Sequence, residues 1–596
     1  MLTHGLKSLF FTLLVFTISV FSPGAEKLTS KSADWTLVMS GKSLCQPCQT
    51  SYGFAVLTDA KMISACTDSG HILWERSVTG RPEPILSSFS SDFLLTVSNQ
   101  NYISLINPSG LTLWTKETDF VIKNNPIVGR DCRIFIKGEQ NLACFGLNGI
   151  CKWTIETPVL RSENLFEMND GSLLSFLQDE QEGKTCALRI SPFGEIIETI
   201  TFSGKILSAL SVNSGLLLYF SDGSAGMCHI RENKAKTKWT IPFSNEVLKN
   251  AQPDKNAGFV ELSGEKAVLA AKVGEKTLAV VFSIIDGKIL NTFVIPESIT
   301  NKTLFKADGE QQKIFLSGKN KAFLYSSDGN VIWNAEFSDS GDEFSNLNHI
   351  FLTQNNNLIL CSANWAIAGY KISQNISKKS VQKKKQKISY ESFINKKINP
   401  EAFLDFAETL PESMSGKQRK TEIFEGNYGS KETEYLSGLS DFCISYRNYL
   451  TESASRPSLV QKSIFERDTK GVESAIFQLN SLGIDAFIND LAVIIKTEKN
   501  TGLLTAALKS VCECAFDPDS TILKAIDYRL KILPCYNDAV FVSLCDSIFE
   551  ICRFMGRPAF YDYGMEILTV LLRPQYSSTV RDYARITLTR IAKLKI

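Results

Sequence analysis

Few histidines and no adjacent cysteines limit the chemistry that this sequence can carry. The four histidines are far apart in the chain: His4, His71, His229 and His349. No His-x-x-x-His pair or Cys/His cluster has the spacing of a metal site. A complete phosphate-binding loop and a Gly-x-Ser-x-Gly nucleophile elbow are also missing. The residues therefore predict no metal centre and no catalytic constellation, so we expect a protein that is not an enzyme and needs no cofactor.

The chain also lacks an excess of charge of either sign. Its 64 Lys and Arg residues nearly cancel its 63 Asp and Glu residues, which leaves a formal net charge of +1. Nucleic-acid binding depends on a basic surface that neutralises phosphates. The composition therefore predicts no nucleic-acid partner.

The only leading apolar run is short. It covers Leu9–Phe21, follows Lys7 and precedes the small residues of Ser22–Ala25. A run of this length is short for a membrane span and is typical of a secretory signal. We expect residues 1–25 to be a signal peptide and the protein to be exported, to the periplasm or another extracytoplasmic space. The alternative is an uncleaved anchor, which would make the protein a membrane-tethered sensor.

Cysteines are numerous but mostly isolated. There are 15, an odd number, and none follows the apolar run until Cys45, so a lipid anchor on an N-terminal cysteine is not expected. The one local pair is Cys45-Gln46-Pro47-Cys48. It could form a small loop disulfide, remain as two free thiols, or act as a redox dithiol. The last needs a helix N-terminus to lower the thiol pKa, and the flanking residues resemble strands, so we favour the disulfide between Cys45 and Cys48.

A glycine followed four residues later by tryptophan recurs along the first part of the chain. The clear copies are Gly70–Trp74, Gly110–Trp114, Gly149–Trp153 and Gly329–Trp333; the fainter copies are Ala235–Trp239, Gly194–Glu198 and Gly287–Asn291. Trp35 lies about one period upstream of the first copy. The spacing of ~40 residues is typical of the blades of a β-propeller.

Each copy has the pattern of strand, turn and strand that a blade needs. Phe93–Val97 and Tyr102–Ile106 are rich in β-branched and aromatic residues, and Ser98–Asn101 between them contains turn formers. The periodic tryptophan can fill the wedge between neighbouring blades, while its indole N–H reaches a carbonyl. From Trp35 to Tyr370 there are about eight intervals. The spacing favours eight blades over seven, and a β-sandwich would not repeat tryptophan in this way.

The Gly-x-x-x-Trp repeat resembles that of the PQQ-type propellers. That group contains quinoprotein alcohol dehydrogenases and non-catalytic, BamB-like relatives, and the resemblance covers residues 34–372. Its enzymes carry two adjacent cysteines over the quinone and ligands for calcium. This sequence has no Cys-Cys dipeptide. The resemblance therefore implies a non-catalytic, WD40-like propeller in which Trp35, Trp74, Trp114, Trp153, Trp239 and Trp333 are structural.

The second half of the chain has a different composition. Residues 373–457 predict a linker and a patchy helical segment, including the basic stretch Lys378–Lys387, which could instead contact anionic lipid. From residue 458 to 596 the apolar period becomes helical. The segment Val580–Leu588 is similar to one helix of HEAT repeats. We expect about three HEAT-like or armadillo-like helix pairs, with a plain bundle as the alternative.

Together these features predict a multidomain β plus α protein: a β-propeller followed by an α-helical repeat domain. The expected function is that of an exported, non-enzymatic scaffold that binds protein partners, in cell-envelope assembly if the resemblance extends that far. The alternative class is a quinoprotein or small-ligand receptor that uses the propeller channel. The decayed copies between Trp153 and Trp333 are where we expect partner contacts.

Overall fold

A computed structural model gives the three-dimensional structure of the chain. It describes residues 33–371 and 488–595, with gaps at 90–91, 130–132, 162–164, 169–171, 179–183, 192–193, 213–214, 232–233, 242–257, 263–264, 274–275, 296–303, 309–312, 318–320, 337–346, 354, 356, 363–364, 499 and 533–536. The predicted signal peptide, the linker with its basic stretch and residues 458–487 of the helical segment lie outside these ranges.

The first part of the chain forms eight four-stranded antiparallel sheets, which are the blades of a β-propeller. Blade 1 contains β2 (Cys48–Thr50), β3 (Gly53–Leu57), β4 (Met62–Thr67) and β5 (Ile72–Ser77). Blade 2 contains β6 (Pro82–Phe89), β7 (Phe93–Ser98), β8 (Tyr102–Ile106) and β9 (Thr112–Glu117). Blade 3 contains β10 (Ile127–Val128), β11 (Ile134–Lys137), β12 (Asn141–Phe145) and β13 (Cys151–Glu156). Blade 4 contains β14 (Phe166–Glu167), β15 (Leu173–Phe176), β16 (Thr185–Ile190) and β17 (Ile196–Phe202).

The remaining blades repeat this order. Blade 5 contains β18 (Ile206–Val212), β19 (Gly215–Phe220), β20 (Ala225–Arg231) and β21 (Lys234–Ile241). Blade 6 contains β22 (Gly258–Leu262), β23 (Lys266–Val273), β24 (Lys276–Ser283) and β25 (Ile289–Ile295). Blade 7 contains β26 (Leu304–Asp308), β27 (Lys313–Ser317), β28 (Lys321–Ser326) and β29 (Val331–Glu336). Blade 8 contains β30 (Leu347–Leu352), β31 (Asn357–Ser362), β32 (Ala366–Lys371) and β1 (Trp35–Val38). The predicted eight blades are confirmed.

Blade 8 closes the ring with strands from both ends of the propeller. The first strand of the chain, β1, pairs antiparallel with β32, and Trp35 lies opposite Gly369. Closure protects the ring because it removes the two free radial faces that an open stack of blades would leave. The last three strands of the propeller belong to the closing blade, and its fourth strand comes from the other end of the propeller.

Separate apolar clusters fill the wedges between neighbouring blades. Each cluster draws its side chains from two consecutive sheets, as Phe54 of blade 1 and Ile359 of blade 8 do at the point of closure. The cluster between blades 2 and 3 is the largest, because it continues into the helical domain. The propeller core is therefore a ring of separate wedges, and one of them is shared with the second domain.

Six helices are described in the C-terminal part: α1 (Ile488–Thr497), α2 (Thr501–Cys514), α3 (Thr521–Ile532), α4 (Asp538–Met555), α5 (Pro558–Val570) and α6 (Ser578–Leu594). The odd-numbered helices contact one another in order, and so do the even-numbered ones. This gives two layers, the arrangement in which helix pairs stack in solenoids. The structure therefore shows a helical domain in the C-terminal part. That its helix pairs are HEAT repeats stays a prediction.

Helix α4 begins and ends at residues that cap it. Asn537 accepts a hydrogen bond from the N–H of Ala539, at 2.9 Å, and Gly556 ends the helix in the left-handed conformation with φ of 61°. The apolar residues from Phe541 to Met555 along this helix are buried. At the start of α3, one carboxylate oxygen of Asp517 accepts N–H bonds from Ile522 and Leu523, as its position before the helix predicts.

Candidate protein-interaction surface

The periodic indoles tie each blade to the next. The Nε1–H of Trp35 donates to the carbonyl of Asp68 at 2.9 Å, Trp74 donates to Pro108 at 2.9 Å, and Trp114 donates to Leu147 at 2.7 Å. Each acceptor lies in the hairpin between the third and fourth strands of the following blade. The expected role of these tryptophans, as wedges with an N–H that reaches a neighbouring carbonyl, is therefore what the structure shows at these three junctions.

The turn glycine of the repeat is the surface on which the indole of the preceding blade packs. Gly110 has φ of 83°, a conformation that disfavours any residue with a Cβ. A Cβ at this position would also lie 2.8 Å from the ring of Trp74. The same relation joins Trp114 to Gly149 and Trp153 to Gly194. Each Gly-x-x-x-Trp unit therefore takes part in two junctions: its glycine contacts the indole of the preceding blade, and its tryptophan packs on the glycine of the following blade.

In blades 1 to 7, a β-bulge in the last hairpin immediately precedes the tryptophan position. The register between the third and fourth strands shifts at the same place in blades 1 to 7, so the residue just before that position has no partner of its own. Trp74 is consequently the third residue of β5. The same register places Glu198 and Asn291 at the tryptophan position of blades 4 and 6.

Blade 6 replaces the indole with two smaller side chains. The Nδ2 of Asn291 donates to the carbonyl of Ser327 at 3.2 Å, and the ring of Phe293 covers Gly329. One residue keeps the hydrogen bond and the other keeps the apolar contact. The sequence spacing showed the loss of tryptophan here but not this division of its role.

Blade 4 departs further from the repeat. Glu198 stays within its own blade, where its carboxylate pairs with Arg189 at 2.8 Å. The following hairpin carries Ala235 in place of glycine, and the outer strands β17 and β21 approach each other there. At this junction, where the tryptophan and the glycine are both missing, the outer strands are in contact and an apolar cluster fills the wedge.

The helical domain is seated on one edge of blade 2 through aromatic rings. Phe93, fully buried at the start of β7, lies 5.2 Å from the ring centroid of Phe554 and 5.9 Å from that of Phe516. Phe516 precedes α3 and Phe554 is in the last turn of α4. Aromatic pairs at these separations stabilise a contact beyond the area they bury. The two domains thus share a packed core.

An ion pair flanks these rings. Asp92, in the turn that precedes β7, is 5% exposed and its Oδ2 lies 2.8 Å from Nη2 of Arg557, which precedes α5. The same carboxylate accepts hydrogen bonds from the backbone N–H and hydroxyl of Ser51 in blade 1. One acidic side chain therefore joins two blades to the helical domain.

Asn107 provides a third contact at the same edge. Its Nδ2 donates to the carbonyl of Arg553 at 2.8 Å, at the end of α4, while its Oδ1 accepts N–H bonds from Ser109 and Leu111 in its own turn. Asn107 is fully buried, and a Cβ on Gly556 would lie 2.5 Å from its amide nitrogen. The close approach requires a glycine at the end of the helix.

These contacts identify the covered side of the propeller. Asp92 lies between the first and second strands of blade 2, and Asn107 lies between the third and fourth. In an antiparallel sheet these two turns share an edge, while the turn between the second and third strands lies at the other. Described helices therefore cover the first edge of blade 2, and the turn Asn99–Asn101 lies on the opposite side.

A shallow polar depression lies on that opposite side. Its volume is about 390 Å³, and it is formed by the turn Asn99–Asn101 of blade 2 and the segment that leads from β9 towards blade 3. It is lined by Asn99, Gln100, Asn101, Glu117, Thr118, Asp119, Phe120 and Val121. Its amides are already engaged in part, because Asn101 donates to Glu117 at 3.1 Å and Asn99 accepts from the N–H of Arg81.

Cys45 and Cys48 lie between the inner edges of blades 1 and 2 as thiols. Both are half-buried, and burial raises the pKa of each thiol to about 12. A redox dithiol needs a lowered pKa, so this environment disfavours that alternative. The disulfide between them stays a prediction.

The histidines and acidic residues do not assemble into a metal site within the described ranges. His71 is exposed beside its turn, and His229 lies on β20. His349 on β30 is half-buried, and burial lowers the pKa of its imidazole. The polypeptide that the structure describes contains no helix of the length and apolar character that a membrane crossing needs.

Sequence comparisons find no matching family model and no matching curated protein. Solved structures that match include BamB from Moraxella catarrhalis, with a TM-score of 0.41 and 12% identity over 58% of this chain and 99% of that chain. The Dos1 propeller matches with a TM-score of 0.41 and 10% identity over 58% and 96%, and the WD40 propeller domain of Doa1 with 0.33 and 11% over 57% and 97%. These likenesses are to β-propellers, and membership of the PQQ-type group stays a prediction.

Proposed function

We propose that this protein is an exported, non-enzymatic scaffold that binds other proteins, and that it acts in assembly at the cell envelope. The observation that carries the proposal is the seating of the helical domain on blade 2. Packed aromatic rings and the buried carboxylate of Asp92 hold the two domains in one relative orientation. Since conformational entropy lost on binding weakens association, two domains already fixed together form a favourable platform.

The shape of both domains supports the same function. A propeller presents two broad sides and a rim, and only one side of blade 2 is occupied by the described helices. Layered helix pairs present extended surfaces as well. Function resides in sites and not in folds, so the proposal needs a direct test of partner binding and of location.

The test is cross-linking in cells, followed by purification of the full chain and mass spectrometry of what is attached. We expect a discrete envelope protein to be recovered. Asp92→Arg should reduce that recovery, because it places two like charges against each other at the domain contact. N-terminal sequencing should find a mature start near Glu26; an intact N-terminus would favour the membrane-tethered sensor instead.

The same purified protein tests the enzymatic alternative. Addition of pyrroloquinoline quinone and Ca²⁺ should leave its melting temperature unchanged. A raised melting temperature together with alcohol-dependent dye reduction would replace the scaffold with a quinoprotein.

A further inference from the structure

The outer strand of blade 6 differs from the outer strands of the other blades. Its sequence from Ile289 to Ile295 is Ile-Leu-Asn-Thr-Phe-Val-Ile and contains no charged residue. Each of the other outer strands of six or more residues carries at least one: β5, β9, β13, β17, β21 and β29. The uncharged strand β1 has only four residues. Asp34 precedes it directly, as Lys288 precedes β25.

Strand β25 also exposes large aliphatic side chains. Ile289 is 40% exposed, Leu290 46% and Val294 51%, and Ile285 in the preceding turn is 50% exposed. Large exposed apolar surfaces mark places where proteins associate. On β5, by contrast, exposed Ile72 and Leu73 are followed by Glu75 and Arg76.

Among the described strands, the outer strand of each blade pairs on one side only. Alternate N–H and C=O groups of such a strand face away from the sheet and can pair with another strand, and proteins usually prevent this with charges, prolines or short edges. Within the strand, β25 has neither a charge nor a proline and is seven residues long. Of these protective features it keeps only the bulge that blades 1 to 7 share.

We propose that β25 pairs antiparallel with the same strand of a second copy of this chain, which joins two propellers through their sixth blades. In an antiparallel pair related by a two-fold axis, the central residue faces its own copy and its neighbours lie close to their equivalents, so charges near the centre of the strand would repel each other. The uncharged β25 avoids that repulsion, whereas the three lysines of β21 would create it. The near-neutral chain, with a net charge of +1, adds little repulsion between whole copies.

The central residue of the strand offers a precise probe. Thr292 is exposed and pairs with Val280 of its own blade, so a change in its side chain leaves the blade core intact. Thr292→Lys would place two ammonium groups near each other across the axis. Thr199→Lys on β17 is the matched control, because Thr199 is exposed and occupies the same position one residue after the tryptophan site.

The experiment is sedimentation velocity of the full chain and of both variants over about a hundredfold range of concentration. The wild type and Thr199→Lys should shift with concentration from the mass of one chain to that of two. Thr292→Lys should weaken the association by at least about tenfold, with an unchanged circular dichroism spectrum. Val294→Lys, at another exposed position of the strand, should act in the same direction.

Two results would overturn the proposal. The wild type could sediment as a single chain throughout, in which case the apolar edge serves another partner or none. Alternatively, Thr199→Lys could weaken the dimer as much as Thr292→Lys, which would mean that the contact lies elsewhere. Neither result bears on whether the protein binds envelope partners, which the cross-linking experiment tests separately.

Discussion

The two halves of the propeller are held together differently. From blade 8 through blade 3, indoles pack on the turns of the following blades, and the helical domain is seated on the same half. From blade 4 through blade 6, the tryptophan position holds Glu198, Trp239 and Asn291 in turn. The ring tolerates the loss of tryptophan at Glu198 and Asn291 because each wedge has its own apolar cluster. A repeat fold can therefore vary locally without opening.

The largest expected difference between the halves comes from removal of the docked side chain. Trp74→Ala should lower the free energy of unfolding by about 3 kcal/mol, since it removes a large apolar ring and the hydrogen bond to Pro108. Asn291→Ala should cost about 1 kcal/mol, the usual value of one hydrogen bond. Chemical denaturation followed by circular dichroism measures both.

Trp365→Ala is the control for this comparison. Trp365 is 53% exposed and its loss should cost less than about 0.5 kcal/mol. If Asn291→Ala were as costly as Trp74→Ala, the two halves would be held equally and the comparison would fail.

The stability of the helical domain, which contacts blade 2, should depend on pH through Asp517. Burial raises the pKa of Asp517 to about 6, whereas in the unfolded chain it is about 3.9. The folded state therefore binds this proton more tightly, and the resulting stability is fully present below about pH 4 and is lost as the pH rises through about 6. Its size is of the order of 3 kcal/mol.

Asp517→Asn isolates that contribution, because the amide keeps an acceptor oxygen and does not titrate. Relative to the wild type, the variant should gain stability between about pH 4 and pH 7. Denaturation curves for the two proteins across this range should diverge; a difference that is constant with pH would show that Asp517 does not titrate there.

Two glycines with nearly equal φ allow the cost of a clash with the indole ring to be distinguished from the cost of backbone strain. Gly110 has φ of 83° and faces the ring of Trp74, whereas Gly223, in a turn of blade 5, has φ of 81° and no heavy atom within 4 Å of a Cβ. Both changes to alanine impose the left-handed conformation, which costs about 1 kcal/mol. Gly110→Ala should cost at least about 1 kcal/mol more than Gly223→Ala, and equal melting temperatures would contradict the packing of the indole on the turn.

The smallest expected effect concerns the ion pair between the domains. A double-mutant cycle of Asp92→Ala and Arg557→Ala should give a coupling energy of about 1 kcal/mol, because Arg557 is 33% exposed and solvent screens part of the attraction. The exposed pair of Asp582 and Arg585 in α6 is the control, with coupling near zero. Equal coupling in both cycles would show that Asp92 does not hold the domains together.

The local repeat could be interpreted without a structure because its two parts lie four residues apart. Gly110 and Trp114 are close in sequence, and the same spacing recurs along the chain. The helix that Asn537 begins and Gly556 ends is similarly local. What the sequence did not reveal is that the indole packs on the glycine of the following blade, and that Asn291 and Phe293 divide the role of one tryptophan.

The candidate interaction surfaces were harder to predict, because their residues are far apart in the sequence. The contact of Phe93 with Phe554 joins residues that are far apart in the chain, and neither stands out among its apolar neighbours. The uncharged character of β25 is visible in the sequence. Its position as the outer, exposed strand of a blade becomes meaningful only when the sheet order is known.

The sequence by itself determined the blade period, the helix boundaries and the change from β to α, because these depend on neighbours within a few residues. The tertiary structure decided how β1 completes blade 8, which edge of blade 2 contacts the helices and that the uncharged strand β25 lies at the outer edge of its blade. These features are pairings between distant segments, and their free energy comes from surfaces that meet only when the ring is closed.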